Sequence, residues 1–430
     1  MTVRVDSKLF DVSAEPRLQG AVFRLWAGER WIEAASSDLT PTALERCAEL
    51  LERGLGRVGG PGAAPGSAST VREERATSSA RPLSEMAPES LLALAKEARG
   101  WGLSQPSIAE AQVRIFRSND QRLYLNSAGA RCLQTIDRAV FVVAPIAMEN
   151  GKAETEPLVR GGEGGQELFG ELTEENVLTA ARRSKELLSA KSPPTGEMAV
   201  LLDPSVAGLF AHESFGHGTE ADQFTRDRSY LKPLLGSEVG PPSLTIVDDG
   251  SYPNGWGTLF FDDEGHPGQK TKLVDAGRFT AALHDRETAA AFSTRATGNT
   301  RRSDFLSRAY VRMTNTYVEP GELSLDELVA ETKNGVILER GTSGIEDPLG
   351  GQMQLKVKAG HLIENGKITD LVGSMALSGS VLKFLRAIRG VGVRGEFRIE
   401  SGFCGKGHGD YIPVGSGGVY LLSQAVVGPA

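Results

Sequence analysis

The chain has 430 residues, 40% hydrophobic and 24% charged, with 47 Lys and Arg against 55 Asp and Glu and a formal charge of −8. At roughly 100 to 200 residues per domain the length suits two or three domains, and the composition excludes a disordered or fibrous chain. The acidic balance speaks against a duplex nucleic-acid binder, which needs many cations to displace condensed counterions.

Cys47, Cys132 and Cys404 are too few and too far apart for a disulfide framework, so a reducing, cytoplasmic setting is expected. The opening MTVRVDSKLF has no basic stretch followed by an apolar core, and no secretory signal is expected from it. The longest apolar window, residues 139–148, is about half of the ~20 residues a membrane span needs. No membrane association is expected.

In chain order, Gly20 to Leu25 reads as a strand. Thr40 then Pro41 marks a helix start, with Leu44, Cys47, Leu50 and Leu51 on one face and an end near Gly54. Residues 58–70 (VGGPGAAPGSAST) offer almost nothing that can pack and are expected to be a mobile linker or loop. A second helix is expected over 89–99. Residues 111–116, 122–126 and 139–143 pattern as strands of one sheet, with Cys132 a structural residue near it.

A third helix begins at Thr173, carries Val177, Leu178, Ala181, Leu187 and Leu188, and stops before Pro193 and Pro194. The segment KSPPTG breaks any helix and divides the chain into an N-terminal α/β domain with a mixed sheet, 1–190, and a second domain, 191–430.

Beyond this boundary, DAGR (275–278) and ENGK (364–367) are hairpin cues, the latter holding an Asn-Gly pair. Ser324 and Glu327 form a capping box for a helix over 325–332, and 381–388 reads as another. The fold class is therefore α+β, with a mainly antiparallel second half.

The segment LFAHESFGHGTEAD (209–222) places His212, Glu213 and His217 on an apolar helix that starts after Pro204 and Ser205. Zinc proteases commonly set two histidines four apart, because at about 100° per residue the rings then differ by only ~40°. Here the separation is five, about 140° on a regular helix. One extra residue in the turn, as in a π-bulge, restores a common side, and Gly216 is where such a distortion costs least. On spacing alone two readings stand: metal binding, or a core His212 with His217 as a helix cap.

The ordered segments HESFGHGTEAD, 248–269, LHDRET (283–288), TGNTRR (297–302), RMTNTY (312–317) and FCGKGHGDYIPVG (403–415) resemble the TldD/PmbA family of metalloproteases. The likeness covers nearly everything after Pro194. It implies one zinc ion per active subunit, held by His212, His217 and Cys404, with Glu213 as general base. Gly402, Gly405 and Gly407 free the backbone around Cys404, and two imidazoles with one thiolate suit zinc. Because this chain keeps both histidines, the glutamate and the cysteine, it resembles the active TldD-type subunit.

Glu220, Asp222 and His408 are candidates for orienting the ligands; solvated acids and an exposed loop histidine are the plain alternatives. His266, His284 and His361 are expected to be structural. Arg301, Arg302, Arg308 and Arg312 could attract a peptide carboxylate, but a solvated or salt-bridged face is the simpler expectation.

The function implied is a zinc peptidase acting on unfolded or extended peptides, as a homodimer or with an inactive family paralogue. The alternatives are a non-catalytic, peptide-binding or partner-stabilising subunit with structural zinc, and a zinc amidase acting on a modified small substrate.

Overall fold

The computed structural model describes residues 1–14, 17–57, 65–407 and 410–430. Most of the expected linker, 58–64, lies outside these, as does His408. The architecture is α+β. In the first half, a seven-stranded sheet runs in the order Phe10–Ser13, Thr2–Val5, Ile108–Leu125, Arg131–Glu149, Arg72–Ala76, with Lys152–Thr155 and Leu158–Glu163 also pairing Arg131–Glu149. The parallel pairing of Arg72–Ala76 with Arg131–Glu149 makes it mixed.

The short strands expected at 111–116 and 122–126 are one strand of 18 residues, and 139–143 lies inside a partner of 19. Alternation explains the merger. Val113, Ile115 and Phe141 face the helices Pro88–Leu103 and Glu174–Leu187, while the polar residues between the two expected strands continue the same pleat against 135–139.

Pro88–Leu103 continues past Arg99 through Gly100 and Gly102; a Cβ on Gly102 would stand 2.8 Å from that of Ala111, so close packing on the sheet favours glycine there. Thr173 caps Glu174–Leu187 by accepting from the Asn176 amide at 3.3 Å. In Pro41–Leu55, Cys47 and Leu51 are buried as expected but Leu50 is exposed, since it stands about 100° from Leu51 around the helix.

The second half holds two larger sheets. One, of seven strands, runs Gly196–Leu202, Gly335–Glu346, Gln352–Glu364, Met375–Ser380, Leu421–Pro429, Gly390–Val391, with Lys367–Val372 beside Gln352–Glu364. Leu421–Pro429 pairs with both Met375–Ser380 and Gly196–Leu202, so the sheet closes on itself. The other, of six strands, runs Arg278–Phe279, Lys270–Asp275, Ile246–Asp249, Asn315–Val318, Asp410–Gly418, Arg398–Lys406. Both expected hairpins form, with Asp275 opposite Arg278 and Glu364 opposite Lys367. The capping box closes on Leu325–Thr332, and the last expected helix is Val381–Arg386.

Between these sheets lies the segment Pro204–Gly216, whose Val206, Ala207, Phe210, Ala211 and Phe215 belong to the main core. It approaches the second sheet very closely. A Cβ on Gly208 would fall 2.2 Å from the Gly417 amide nitrogen, so only glycine lets helix and strand backbones touch here. The two halves are tied by buried donors: the Arg138 guanidinium bonds the Trp256 and Thr258 carbonyls, and the Gln134 amide bonds that of Phe261. Among the described residues, no helix is long and apolar enough to cross a membrane.

Candidate metal centre

The strand Gly196–Leu202 ends at Asp203, whose carboxylate accepts from the Val206 amide at 2.8 Å and caps the helix that follows. Pro204 occupies the first helical position, where its missing N–H costs nothing. The helix is α over Pro204–Leu209 and widens to π over Phe210–Gly216. The His217 amide donates to the His212 carbonyl, an i to i+5 bond joining the two histidines themselves. Their rings stand 5.1 Å apart between centroids at 84°.

Gly216 is not the soft point of this turn: its backbone is helical, with φ −59° and ψ −48°. Its smallness matters instead, because a Cβ would lie 2.2 Å from Met313 Sδ.

Cys404 arrives on Arg398–Lys406, opposite Ile412, and is buried with Ile412 and Val414. The Arg312 guanidinium pins this strand by donating to the Cys404 carbonyl at 2.5 Å and the Asp410 carbonyl at 3.1 Å. The thiol sulfur lies 3.5 Å from Nε2 of His217. One donor atom from each of His212, His217 and Cys404 lies within 4.8 Å of the others. Bond lengths of ~2.0 to 2.3 Å place the donors of a tetrahedral zinc roughly 3.3 to 3.8 Å apart, so the Cys404–His217 edge already has that size and the donor chemistry suits the ion.

Burial pushes the Cys404 thiol up, but hydrogen bonds and charge from His212 and His217 outweigh it and bring the thiol down to about 4. Burial also opposes a charged His217; the Glu220 carboxylate and Cys404 override it and hold that ring well above its usual range.

Glu213 is half-buried, its carboxylate 3.8 Å from Nε2 of His217. Room for it comes from Gly344, where a Cβ would stand 2.8 Å from that of Glu213. Of the candidate orienting residues, Glu220 reaches one of the candidate ligands: its Oε2 lies 3.4 Å from Nδ1 of His217. Asp222 instead bonds Lys406 at 2.9 Å, and both acids are buried rather than solvated.

Of the arginine run, Arg301, Arg302 and Arg312 are buried rather than solvated and donate to backbone carbonyls; Arg302 also makes a salt bridge with Glu33, in keeping with the salt-bridged expectation, and Arg308 is exposed. His284 meets Thr288, and His361 meets Glu339. His266 is partly buried in its turn.

The sequence reading missed Lys406, Glu346 and Tyr230. Lys406 stands two residues beyond Cys404, where strand alternation puts both on one face. Glu346 ends the strand bearing Gly344, and burial pushes its carboxyl up to about 8; the Tyr230 hydroxyl donates to the Ser214 carbonyl at 3.2 Å. Glu346 and Tyr230 come from segments far apart in sequence, and no local pattern links either of them to the histidines.

A family model described as the PmbA/TldA metallopeptidase C-terminal domain matches residues 195–424, more than half of the chain. The chain belongs to the TldD/PmbA family of metallopeptidases. It is 36% identical over 307 residues to Metalloprotease MJ0996 of Methanocaldococcus jannaschii, covering 71% of this chain and 67% of that one. It is 33% identical to the Zinc metalloprotease TldD homolog of Saccharolobus solfataricus, over 54% of this chain and 52% of the relative. The crystal structure of TldE from Thermococcus kodakarensis has the same fold, with a TM-score of 0.74 over 99% of this chain and 94% of that chain at 17% identity.

Proposed function

We propose that this chain is a zinc-dependent peptidase that cleaves unfolded or extended peptides, with His212, His217 and Cys404 as the metal ligands and Glu213 as general base. The reading rests on one observation: a π-turn and a strand distant in sequence bring two imidazoles and a thiol within 4.8 Å of one another, with a carboxylate beside them. A relative's name carries both the word zinc and the family.

The ion supplies Lewis acidity and lowers the pKa of water to about 7. The Glu213 carboxylate takes a proton from the attacking water and passes it to the departing amine, a role its half-exposed place suits. Glu220 holds the Nδ1 proton of His217, leaving Nε2 to donate its lone pair.

An extended substrate has a place to lie. Gly335–Glu346 pairs with Gly196–Leu202 only through Leu338, and no other strand among the described residues covers the same edge of 341–346. Ladder alternation turns the peptide groups of Gly344 and Glu346 to that edge, beside Glu213, where an added strand gains backbone bonds without strict sequence choice. Residues 1–190 are read as a separate N-terminal domain, and the working form as a dimer, with itself or with an inactive paralogue.

Time-resolved mass spectrometry of a peptide library with zinc-loaded protein tests this. Hydrolysis of backbone peptide bonds is expected. Binding without cleavage would favour a peptide-holding subunit, and cleavage confined to modified small amides would favour the amidase.

A further inference from the structure

In Arg398–Lys406 the side chains of Cys404 and Lys406 point to the same face, and the lysine is almost buried, with 12% of its side chain exposed. Its ammonium has three N–H donors and all are used, on Glu220 Oε2 at 2.8 Å, Asp222 Oδ1 at 2.9 Å and the Val311 carbonyl at 2.9 Å. The Glu220 oxygen that accepts from Lys406 is the one facing Nδ1 of His217 at 3.4 Å, and Nε2 of the same ring faces the Cys404 sulfur at 3.5 Å. The contacts close a ring: Cys404 to His217, to Glu220, to Lys406, and back along the strand to Cys404.

We propose that Lys406 is a positioning residue of the metal centre, fixing Glu220 against His217 so that Nε2 and the Cys404 sulfur are presented to one point. The inference rests on the ligand set proposed above and extends it. A desolvated ammonium is expensive where an apolar side chain would fill the space at lower cost. Its placement where both ligand segments meet, with an oxygen shared with the ligand histidine, gives it work that an apolar residue could not do. A mere clip between strand and loop would affect folding stability alone. A positioning role acts on the metal, and acts through Glu220.

The test is zinc affinity, by competition with a chromophoric chelator, together with the absorption spectrum of the cobalt(II)-substituted full chain. Lys406→Met and Glu220→Gln are each expected to lower zinc affinity by about 10- to 100-fold and to shift the cobalt ligand-field bands. The double variant should bind no more weakly than Glu220→Gln alone.

Wild-type affinity and spectrum in Lys406→Met, with only a lower Tm, would overturn the proposal. So would a double variant whose loss is the product of the two single losses. Should Lys406→Met fail to fold, Lys406→Arg decides: its planar head keeps the charge but displaces Glu220, so weaker binding and shifted bands are expected, and an unchanged spectrum overturns the role. Zinc binding undiminished in His212→Ala and His217→Ala would remove the ligand reading as well. Zinc lost in those variants but kept in Lys406→Met would remove the lysine's role alone.

Discussion

Nε2 of His217 stands 3.5 Å from the sulfur of Cys404 across 187 residues of sequence. Two backbone approaches make that distance possible. Gly208 lets the histidine segment touch strand Asp410–Gly418, and the register of that strand with Arg398–Lys406 sets Cys404 opposite Ile412.

Glu213→Gln keeps shape and donor geometry while removing the proposed proton acceptor. Turnover should fall by at least about 10²-fold with zinc content unchanged. Elemental analysis beside a peptide-cleavage assay checks this; a metal-loaded variant as fast as wild type removes the general-base role.

Gly344→Ala places a methyl group 2.8 Å from Cβ and 2.9 Å from Cγ of Glu213 and 2.8 Å from a Leu355 methyl. The carboxylate must shift, and a displacement near 1 Å costs about 10²-fold in rate. The expected signature is a reduced kcat with zinc affinity preserved. Equal kcat would mean that Glu213 works from another position.

Gly216→Ala acts on the π-turn itself. The new Cβ meets Met313 Sδ at 2.2 Å and the Ala211 carbonyl at 2.9 Å, and overpacking of this kind costs about 1 to 3 kcal/mol. His217 follows directly in the chain, so Tm and zinc affinity should fall together. A loss of Tm alone would uncouple the turn from the ligands.

Glu346 gives a pH signature. Its folded carboxyl is pushed up to about 8 by burial, from an ordinary value of 4.5. A raised acid binds its proton more tightly in the folded state. Its stabilising contribution is therefore complete below about 4.5 and is lost as pH rises through about 8. Glu346→Gln mimics the neutral form, so the wild-type Tm should drop relative to the variant across that window. Parallel Tm curves would contradict the assignment.

Where the pattern is local, the sequence is readable. The five-residue spacing of His212 and His217 implies a π-turn because no α-helix superimposes them, and the Ser324–Glu327 box and the Asn365–Gly366 turn are short-range devices. The long strands are misread as pieces because polar residues such as Asn119 and Asp120 look like loop until their partners Asp137 and Ile136 are seen. Cys404 comes from family resemblance, since nothing in its spacing points to the histidines. Lys406 shares a strand face with Cys404, but its partners Glu220 and Asp222, like the meeting of Glu346 with the histidine segment, are contacts between distant segments, for which local periodicity carries no signal. The buried arginines mislead for the same reason: charge predicts a surface, and here carbonyls of neighbouring segments take that charge inside.

The most direct measurement is zinc-edge X-ray absorption on the metal-loaded chain, compared with Cys404→Ser. The account predicts one sulfur scatterer at about 2.3 Å with two imidazoles at about 2.0 to 2.1 Å, and loss of the sulfur shell in the variant. A wild-type spectrum without sulfur, or a sulfur shell that survives the substitution, would contradict it.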